Sequence, residues 1–207
     1  MAHARRQRLG VLGGTFDPVH IGHLVAAVNA RAALDLDTVL LVVAGQPWQK
    51  SGSVLTPAAD RLAMVEAAVE GVEGLEASRR ELDRPGPTYT ADTLEELVAE
   101  DPDRDLFLVV GSDVAVDLGT WERPEVVARL ATLAVVDRGG NVDLGLPPMW
   151  RVERVEIPRL EISSSDIRQR CADGRPIDFL VPEPVMTRIR ALGLYAGGTM
   201  RTPSGGR

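Results

Sequence analysis

Several residue types are scarce in this sequence, and each scarcity excludes a class of protein. The 207 residues include a single cysteine, Cys171, so an internal disulfide and a cysteine-built metal cluster are both excluded. No apolar run approaches the roughly 20 residues of a membrane-spanning helix. The first residues are a poor match to a signal peptide, because glycines and polar residues interrupt their apolar part. We therefore expect a cytoplasmic protein that makes no membrane contact.

Positive charge is also in short supply. Lysine and arginine together number 23 against 30 acidic residues, which gives a net charge of −7. Such a balance disfavours a general nucleic-acid binder, and an anionic ligand would have to be attracted by local groups. The chain is 44% hydrophobic and 26% charged, which is typical of a globular domain. We expect one domain over residues 8–195, with disordered tails at 1–7 and 197–207, and a homo-oligomer is compatible with this composition.

Apolar and amphipathic segments alternate along the chain. Continuous apolar runs are typical of parallel strands that are covered on both faces. Strands are predicted at Arg8–Gly14, Thr38–Ala44, Asp105–Gly111 and Ala131–Asp137, with weaker ones at Leu75–Leu82 and Trp150–Ile157. Helices are predicted at Ile21–Leu34, after a Thr56 cap, at Thr90–Glu100 with Thr90 as cap, at Ser164–Ala172 and at Glu183–Leu192. This order predicts an α/β fold with a doubly wound parallel sheet and a site at the carboxyl ends of the strands.

The segment GGTFDPVHIGH, residues 13–23, follows the first predicted strand. It holds two of the three histidines of the chain, His20 and His23. Glycines let the backbone approach a ligand closely, and the start of the following helix attracts anions. Histidines three residues apart share one side of a helical turn, where they can bond to phosphate oxygens and, when protonated, neutralise developing charge. The spacing fits neither G-x-G-x-x-G nor a P-loop, which disfavours dinucleotide reduction and P-loop hydrolysis.

Two other interpretations of the histidine pair remain open at this point. His20 could cap a turn while His23 is an ordinary helix residue. The pair could instead bind zinc, although only carboxylates could complete such a site. The strand–glycine–helix context favours phosphate chemistry over both, and we expect no metal site built from protein side chains.

Further candidate residues lie in other predicted loops. Lys50, the only lysine of the chain, follows the second strand, where a flexible point charge suits a phosphate. Ser163 and Asp166 match a helix capping box, but the neighbouring serines and Arg168 could also hold a polyphosphate. Capping alone is the simpler interpretation.

A second group of candidates suits a nucleoside. Asp113, after the strand Asp105–Gly111, could bond to ribose hydroxyls. Trp121 could stack on a planar ring, although core packing is an equally common role for a tryptophan. Thr88 and Tyr89 precede a predicted helix and could face a ligand.

Together these motifs resemble a known family. GGTFDPVHIGH, with its (H/T)-x-G-H core, and ISSSDIR are similar to the nucleotidyltransferase superfamily, which joins a nucleoside monophosphate to a phosphate acceptor. GPTYTADTL, GSDVAVDLGTW and FLVPEPVMTRIRALGLY narrow the resemblance to the bacterial nicotinate-nucleotide adenylyltransferases. The resemblance implies a Rossmann-like nucleotidyltransferase fold. It also implies adenylyl transfer from ATP to nicotinate mononucleotide in NAD biosynthesis, with Mg²⁺ held mainly by the substrate phosphates.

The same resemblance implies roles for individual residues. The implied catalytic residues are His20, His23, Lys50 and Arg168. The implied ATP contacts are Gly13, Gly14, Thr15, Phe16, His20, His23, Gly111, Asp113, Ile162, Ser163, Ser164, Ser165 and Arg168. The implied contacts of the nicotinate nucleotide are Thr15, Lys50, Thr88, Tyr89 and Trp121. The chain departs from the family pattern at Gln49, where many relatives have histidine, and at Arg138-Gly139-Gly140, where many have Arg-Pro-Gly.

Two alternatives are weighed against this function. One is a sibling transferase that acts on another phosphate acceptor such as phosphopantetheine, which the GPTYT motif and Trp121 disfavour. The other is a non-catalytic nucleotide sensor with the same fold, which the presence of His20, His23 and Arg168 disfavours.

Overall fold

A computed structural model describes residues 5–46, 55–137 and 144–196. Six strands form one sheet in the order β3-β2-β1-β4-β5-β6, and every neighbouring pair is parallel. The strands are β1 (Arg8–Gly14), β2 (Thr38–Val43), β3 (Leu75–Ser78), β4 (Asp105–Gly111), β5 (Ala131–Asp137) and β6 (Val152–Glu156). The predicted doubly wound parallel sheet is therefore confirmed.

Helices connect the strands. They are α1 (Ile21–Ala33), α2 (Ala58–Val69), α3 (Arg80–Asp83), α4 (Thr90–Glu100), α5 (Ser112–Ala115), α6 (Pro124–Leu130), α7 (Ser164–Ala172) and α8 (Glu183–Leu192). The sequence pattern did not predict α3, α5 or α6, because segments of four to seven residues are too short to display a helical period. In the described part of the chain, no helix is long and apolar enough to cross a membrane.

Three details of the prediction were wrong. Thr56 does not cap α2, since Pro57 is the cap residue and the Thr56 hydroxyl instead donates to the Tyr195 hydroxyl at 3.3 Å. Thr90 is the first residue of α4, with Tyr89 in extended conformation before it. The third strand ends at Ser78 rather than continuing to residue 82, because α3 begins two residues later.

Residues 5–7, predicted as part of a tail, are held against the sheet. The Gln7 carbonyl accepts from the Asp105 N–H at 2.8 Å, and Arg5 forms ion pairs with Asp35 and Asp37. This backbone hydrogen bond between Gln7 and β4 extends the parallel pairing of β1 with β4 to the residue before β1 begins. The rest of the predicted tails, at 1–4 and 197–207, lies outside the described residues.

The apolar core lies on both faces of the sheet. In β2, Val39, Leu41 and Val43 belong to one buried cluster, while Leu40 and Val42 belong to the other. This alternation follows from the two-residue period of a strand. It explains why the strands read as continuous apolar runs, since both faces of a parallel sheet are covered by helices.

The strand order determines where a ligand can bind. Following the chain, β2 lies on one side of β1, whereas β4 lies on the other side. The connections that leave the carboxyl ends of β1 and β4 diverge to opposite faces of the sheet, and a crevice opens between them. The sequence motifs at residues 13–23 and 111–121 both begin at this crevice.

Candidate active site

A cavity of about 480 Å³ opens at the carboxyl ends of β1 and β4. A volume of this size suits a small-molecule ligand. Of the predicted site residues, the cavity wall contains Gly13, Gly14, Thr15, His20, His23, Thr88, Tyr89, Gly111, Asp113, Trp121, Ile162, Ser163 and Ser164. The tertiary structure thus brings together segments that are up to 151 residues apart in the chain.

The remaining predicted residues are placed differently. Phe16, Ser165 and Arg168 are not part of the cavity wall. The Phe16 side chain is buried beneath the loop that follows β1. Lys50, Gln49 and Arg138-Gly139-Gly140 lie outside the described residues.

The buried Phe16 ring shapes the loop after β1. Phe16 has a left-handed backbone with a φ of 49°, which folds its ring back under Gly14. A Cβ at Gly14 would lie 2.9 Å from the Phe16 ring. Only glycine therefore lets this loop remain against the ring while its backbone faces the cavity.

The two histidines of α1 lie against each other. Their rings are stacked with centroids 3.6 Å apart, and Phe16 contacts the His23 ring edge-on at 5.0 Å. The backbone N–H of His20 donates to Nδ1 of His23 at 3.2 Å. Because Nδ1 accepts this bond, the neutral His23 ring carries its proton on Nε2.

His20 fills two roles that the sequence left as alternatives. It is the cap residue of α1, and its buried side chain also forms part of the cavity wall. Gly22 makes this arrangement possible, because a Cβ at that position would lie 3.1 Å from the His20 ring. The glycine of the His-x-Gly-His motif thus leaves space for the first histidine.

Helix α7 is fastened to the loop after β1. The Ser164 hydroxyl donates to the Pro18 carbonyl at 2.9 Å, and Arg168 Nη1 donates to the Asp17 carbonyl at 2.8 Å. Arg168 Nη2 also donates to the Ser165 hydroxyl at 3.1 Å. These bonds hold the start of α7 beside the start of α1, so two helix N-termini face one region.

The predicted capping box of α7 is only half formed. Ser163 accepts from the Asp166 N–H at 3.1 Å, as expected of a cap. The Asp166 carboxylate does not turn back to the cap, and instead pairs with Arg170 at 2.7 Å. An ion pair one turn along the helix satisfies the carboxylate better than a neutral backbone donor.

A buried polar cluster that the sequence did not reveal supports the loop after β1. The Asp17 carboxylate, on a residue only 2% exposed, accepts from the Tyr195 hydroxyl at 2.6 Å and from the Thr56 N–H at 3.3 Å. Arg61, 1% exposed, donates to the carbonyls of Thr15 at 2.7 Å and Ala44 at 2.8 Å. The cluster therefore joins the ends of β1 and β2 to Tyr195, three residues after α8.

The burial of this cluster alters its titration. Desolvation lowers the pKa of Arg61, and the nearby Asp17 carboxylate opposes that effect. Desolvation and the hydrogen bond to Asp17 raise the pKa of Tyr195 above its usual value. Tyr195 thus keeps its proton and remains a donor to Asp17. No local motif could have identified Arg61, which is one of many arginines in the sequence.

Trp121 and the Thr88–Tyr89 turn form another wall of the cavity. Trp121 is partly buried and packs against the second apolar cluster, and it also forms part of the cavity wall. Arg123, two residues later, donates to Glu95 at 3.0 Å and to Asp92. These bonds tie the tryptophan segment to α4, the helix that begins directly after Tyr89.

Glu81 is a buried carboxyl group of the cavity wall that the sequence did not reveal. It is 8% exposed and accepts from the Thr93 hydroxyl at 3.0 Å. Desolvation raises the pKa of Glu81, while the hydroxyls of Thr88 and Thr93 and the charge of Arg84 act in the opposite direction. A carboxyl group with a raised pKa in a cleft is a mark of functional sites.

Comparison with known proteins identifies the class to which this fold and site belong. Residues 11–170 match the model of the family described as cytidylyltransferase-like. The match spans most of the described chain, including both helix starts at the cavity. The chain therefore belongs to the cytidylyltransferase-like family.

Individual relatives narrow the assignment. The probable nicotinate-nucleotide adenylyltransferase of Saccharopolyspora erythraea is 43% identical over 195 residues, covering 94% of this chain and 92% of the relative. The protein of the same name from Streptomyces coelicolor is 45% identical over 188 residues, covering 90% of this chain and all of the relative. Within its family, the chain is a member of the nicotinate-nucleotide adenylyltransferases.

Solved structures agree on the fold. The nicotinic acid mononucleotide adenylyltransferase of Plasmodium falciparum complexed with NaAD has a TM-score of 0.75 and is 19% identical. The match covers 92% of this chain and 98% of that one. A putative nicotinate-nucleotide adenylyltransferase from Vibrio parahaemolyticus has a TM-score of 0.67 at 20% identity.

Proposed function

We propose that this protein transfers the adenylyl group of ATP to nicotinate mononucleotide, forming nicotinate adenine dinucleotide and pyrophosphate in NAD biosynthesis. One observation carries the proposal. A single cavity contains the His-x-Gly-His start of α1, the start of α7, and a wall formed by Thr88, Tyr89 and Trp121. The names of the relatives and the dinucleotide in a structure of the same fold support this assignment.

The reaction needs no strong base. An oxygen of the acceptor's phosphate attacks the α-phosphorus of ATP, and the bond from that phosphorus to the bridging oxygen breaks. The electron pair leaves with pyrophosphate. Since the acceptor phosphate is already ionised, the rate depends on alignment of the two phosphates and on stabilisation of the charge between them.

The histidine pair would supply part of that stabilisation. His23 accepts a backbone N–H at Nδ1, so its Nε2–H is the atom with which it can donate to a phosphate oxygen. His20 lies stacked against it in the cavity wall. A pre-positioned donor of this kind typically contributes about 10²–10³-fold to a rate.

The start of α7 would hold the phosphates that leave. Ser164 lies in the cavity wall, and Ser165 and Arg168 lie next to it on the first turns of the helix. The N–H groups of a helix start attract anions, and an arginine adds charge and paired donors. We also include Lys50 as a catalytic residue, as the resemblance implies, on the basis of its position in the sequence after β2.

The adenosine would bind between the ends of β1 and β4. Gly13, Gly14 and Thr15 present backbone on one side of the crevice, and Gly111 and Asp113 lie on the other. Asp113 is exposed and suited to ribose hydroxyls. We also assign ATP contacts to Phe16, through its backbone, and to Ile162 and Ser163.

We infer that Mg²⁺ enters with ATP. Over residues 5–46, 55–137 and 144–196, no group of three or more His, Cys, Asp or Glu side chains could hold a metal ion. The donor set therefore fits a cation held mainly by substrate phosphates and water. Bound in this way, the ion would neutralise charge on the phosphates.

The acceptor would bind against the remaining wall. Trp121 would stack on the pyridine ring, and N–H groups near Thr88 and Tyr89 would bond to its carboxylate. Thr15 and Lys50 would lie toward the acceptor's phosphate. We further propose that the protein works as one domain over residues 8–195 in the cytoplasm, without nucleic-acid or membrane partners, and that a homo-oligomer is compatible with this activity.

The decisive experiment is turnover of the purified protein with ATP and a panel of acceptors. Pyrophosphate release is measured with nicotinate mononucleotide, nicotinamide mononucleotide and phosphopantetheine, and the product is identified by chromatography. We expect the highest kcat/KM with nicotinate mononucleotide. Preferred turnover of phosphopantetheine would select the sibling transferase, and nucleotide binding without pyrophosphate release from any acceptor would select the sensor.

A further inference from the structure

Glu81 is a carboxyl group in the wall of the proposed acceptor site that the mechanism above does not use. It lies with Thr88, Tyr89 and Thr90 in the wall of the same cavity, and only 8% of the residue is exposed. A buried negative charge there would face a substrate that carries its own ring carboxylate. The charge state of Glu81 therefore bears directly on which acceptor the cavity prefers.

The hydrogen bonds behind Glu81 have a fixed direction. Arg84 Nη2 donates to the Thr93 hydroxyl oxygen at 2.8 Å, and arginine has no acceptor atom. The Thr93 proton must therefore go elsewhere, and it goes to Glu81 Oε1 at 3.0 Å. Thr93 itself is 1% exposed, so this chain of bonds is shielded from water. Oε1 is held as an acceptor, and a proton on Glu81 must reside on the other oxygen.

The charges around Glu81 leave its ionised form only partly compensated. Arg84 is the cation near it, at 3.9 Å from Oε1, but Arg84 already forms a 2.9 Å ion pair with Glu96 of α4. The helix α3, which carries Glu81, holds two further charged groups. Arg80 pairs with Glu100, and Asp83 pairs with Arg79. Gly45, which follows β2 and has no side chain, lies against the backbone of Glu81. Taking up a proton is therefore an alternative to carrying a poorly paired charge.

We propose that Glu81 is a specificity-determining residue. When Glu81 is neutral, the cavity binds a nucleotide whose ring carries an anionic substituent. When Glu81 is ionised, binding of that nucleotide is disfavoured. The inference rests on the proposed function and deepens it, because it concerns how the same cavity distinguishes a carboxylate from an amide on the acceptor ring. The amide is neutral, so the ionisation of Glu81 changes its binding much less.

The test is the ratio of kcat/KM for nicotinate mononucleotide to that for nicotinamide mononucleotide, measured from pH about 5, just above the usual pKa of a glutamate, to about 9. Both acceptors carry the same phosphate, so its titration cancels in the ratio. We expect the ratio in the wild type to fall by roughly tenfold as the pH rises, as expected for two like charges coupled by about one pKa unit. In Glu81→Gln, which cannot ionise, we expect the ratio to stay close to the low-pH value at every pH.

Glu96→Gln is the matched control. It removes a carboxylate from the same arginine, but Glu96 is not part of the cavity wall. We expect Glu96→Gln to keep a fall of the ratio with rising pH but to move it to lower pH, because Arg84 is freed to stabilise ionised Glu81 and the like charge of Glu96 is lost. If the ratio in Glu96→Gln stayed at the low-pH value at every pH, as expected of Glu81→Gln, the effect would come from the charges of the region in general. This result would overturn the proposal.

The outcomes separate this inference from the proposed function. The protein could transfer the adenylyl group to nicotinate mononucleotide while the ratio of the two kcat/KM values is independent of pH and equal in wild type and Glu81→Gln. This result would overturn only the role of Glu81. No transfer to either acceptor would overturn the proposed function itself. If Glu81→Gln does not fold, calorimetry on the wild type in two buffers replaces it and measures proton uptake on binding. Uptake with nicotinate mononucleotide but not with its amide supports the proposal. Equal uptake with the two nucleotides contradicts it.

Discussion

Single residues show how closely capping and chemistry are combined in this site. His20 caps α1 and also faces the cavity, and His23 receives the cap's N–H through Nδ1. The same bond that completes the helix start therefore determines which nitrogen of His23 can donate to a ligand. The side chains that complete the helix start are therefore also part of the cavity wall.

His23→Ala tests the chemical role of that side chain. We expect kcat to fall by about 10²-fold or more, because a donor aimed at developing charge is lost. Stability should change far less, since alanine is a good helix residue and removes one partly buried cap bond. Single-turnover rates and melting curves measure the two effects. Near wild-type turnover in His23→Ala would contradict the proposed role.

Trp121→Ala tests the stacking role. Stacking on the pyridine ring does not distinguish a carboxylate from an amide, so kcat/KM for the nicotinate and nicotinamide nucleotides should fall by similar factors. The ratio of the two values should stay within about twofold of the wild type, because roughly 1–3 kcal/mol of discrimination resides in the polar contacts. A large change in the ratio would assign substituent recognition to Trp121. Steady-state kinetics with both acceptors at one pH provides the measurement.

At the scale of elements, the site depends on how α7 is attached to the loop after β1. Ser164 and Arg168 bond to the carbonyls of Pro18 and Asp17, whereas Arg170 faces away and pairs with Asp166 of its own helix. The two arginines are two residues apart and so lie on different sides of the helix. Arg170 therefore provides a control position for substitutions of Arg168 on the same helix.

Arg168→Ala and Arg170→Ala form a matched pair on α7. We expect Arg168→Ala to weaken ATP binding by about tenfold or more, since a charged hydrogen bond contributes roughly 1.5–3 kcal/mol. Arg170→Ala removes an exposed ion pair of small value and should leave the Kd for ATP within about twofold. Isothermal titration with ATP and a melting curve for each variant distinguish binding from stability. Equal ATP affinities in the two variants, with Arg168→Ala the less stable, would favour a purely structural role for Arg168.

At the scale of the whole molecule, the cluster around Asp17 joins the loop after β1 to the segment that follows α8. Tyr195 donates to Asp17 across 178 residues of sequence, and Arg61 joins the loops after β1 and β2. The loop that precedes the histidines is thus held by a residue near the carboxyl terminus. We therefore expect the segment that follows α8 to influence the shape of the loop after β1.

Tyr195→Phe tests this coupling. Loss of the hydroxyl leaves the buried Asp17 carboxylate with one donor fewer, so we expect a destabilisation of about 1–3 kcal/mol. In a chain of this size, that corresponds to a fall in Tm of roughly 2–4 °C per kcal/mol. The double variant Tyr195→Phe/Asp17→Asn should be less destabilised than the sum of the two single variants, because both remove the same interaction. Strict additivity in denaturant melts would show that the two residues act independently.

The sequence alone predicted the parallel sheet and the location of the site. Buried parallel strands must be apolar on both faces, so β1, β2, β4 and β5 are visible as continuous runs, and chemistry-bearing loops follow the first and fourth strands. It also identified His20, His23, Asp113 and Trp121 as candidate site residues, because motifs with fixed spacing are local, and the structure brings all four into one cavity wall.

Only the tertiary structure revealed the supporting residues. Arg61, Tyr195 and Glu81 lie in ordinary amphipathic segments. Their environment depends on contacts with residues 12 to 178 positions away in the sequence, which no local pattern encodes. The same holds for the cap of α2, where Thr56 fits the local preference for a cap but its hydroxyl bonds to Tyr195 instead. Local patterns determine which segments form strands and helices, whereas the burial of a charged group and its partners is decided only when the segments pack.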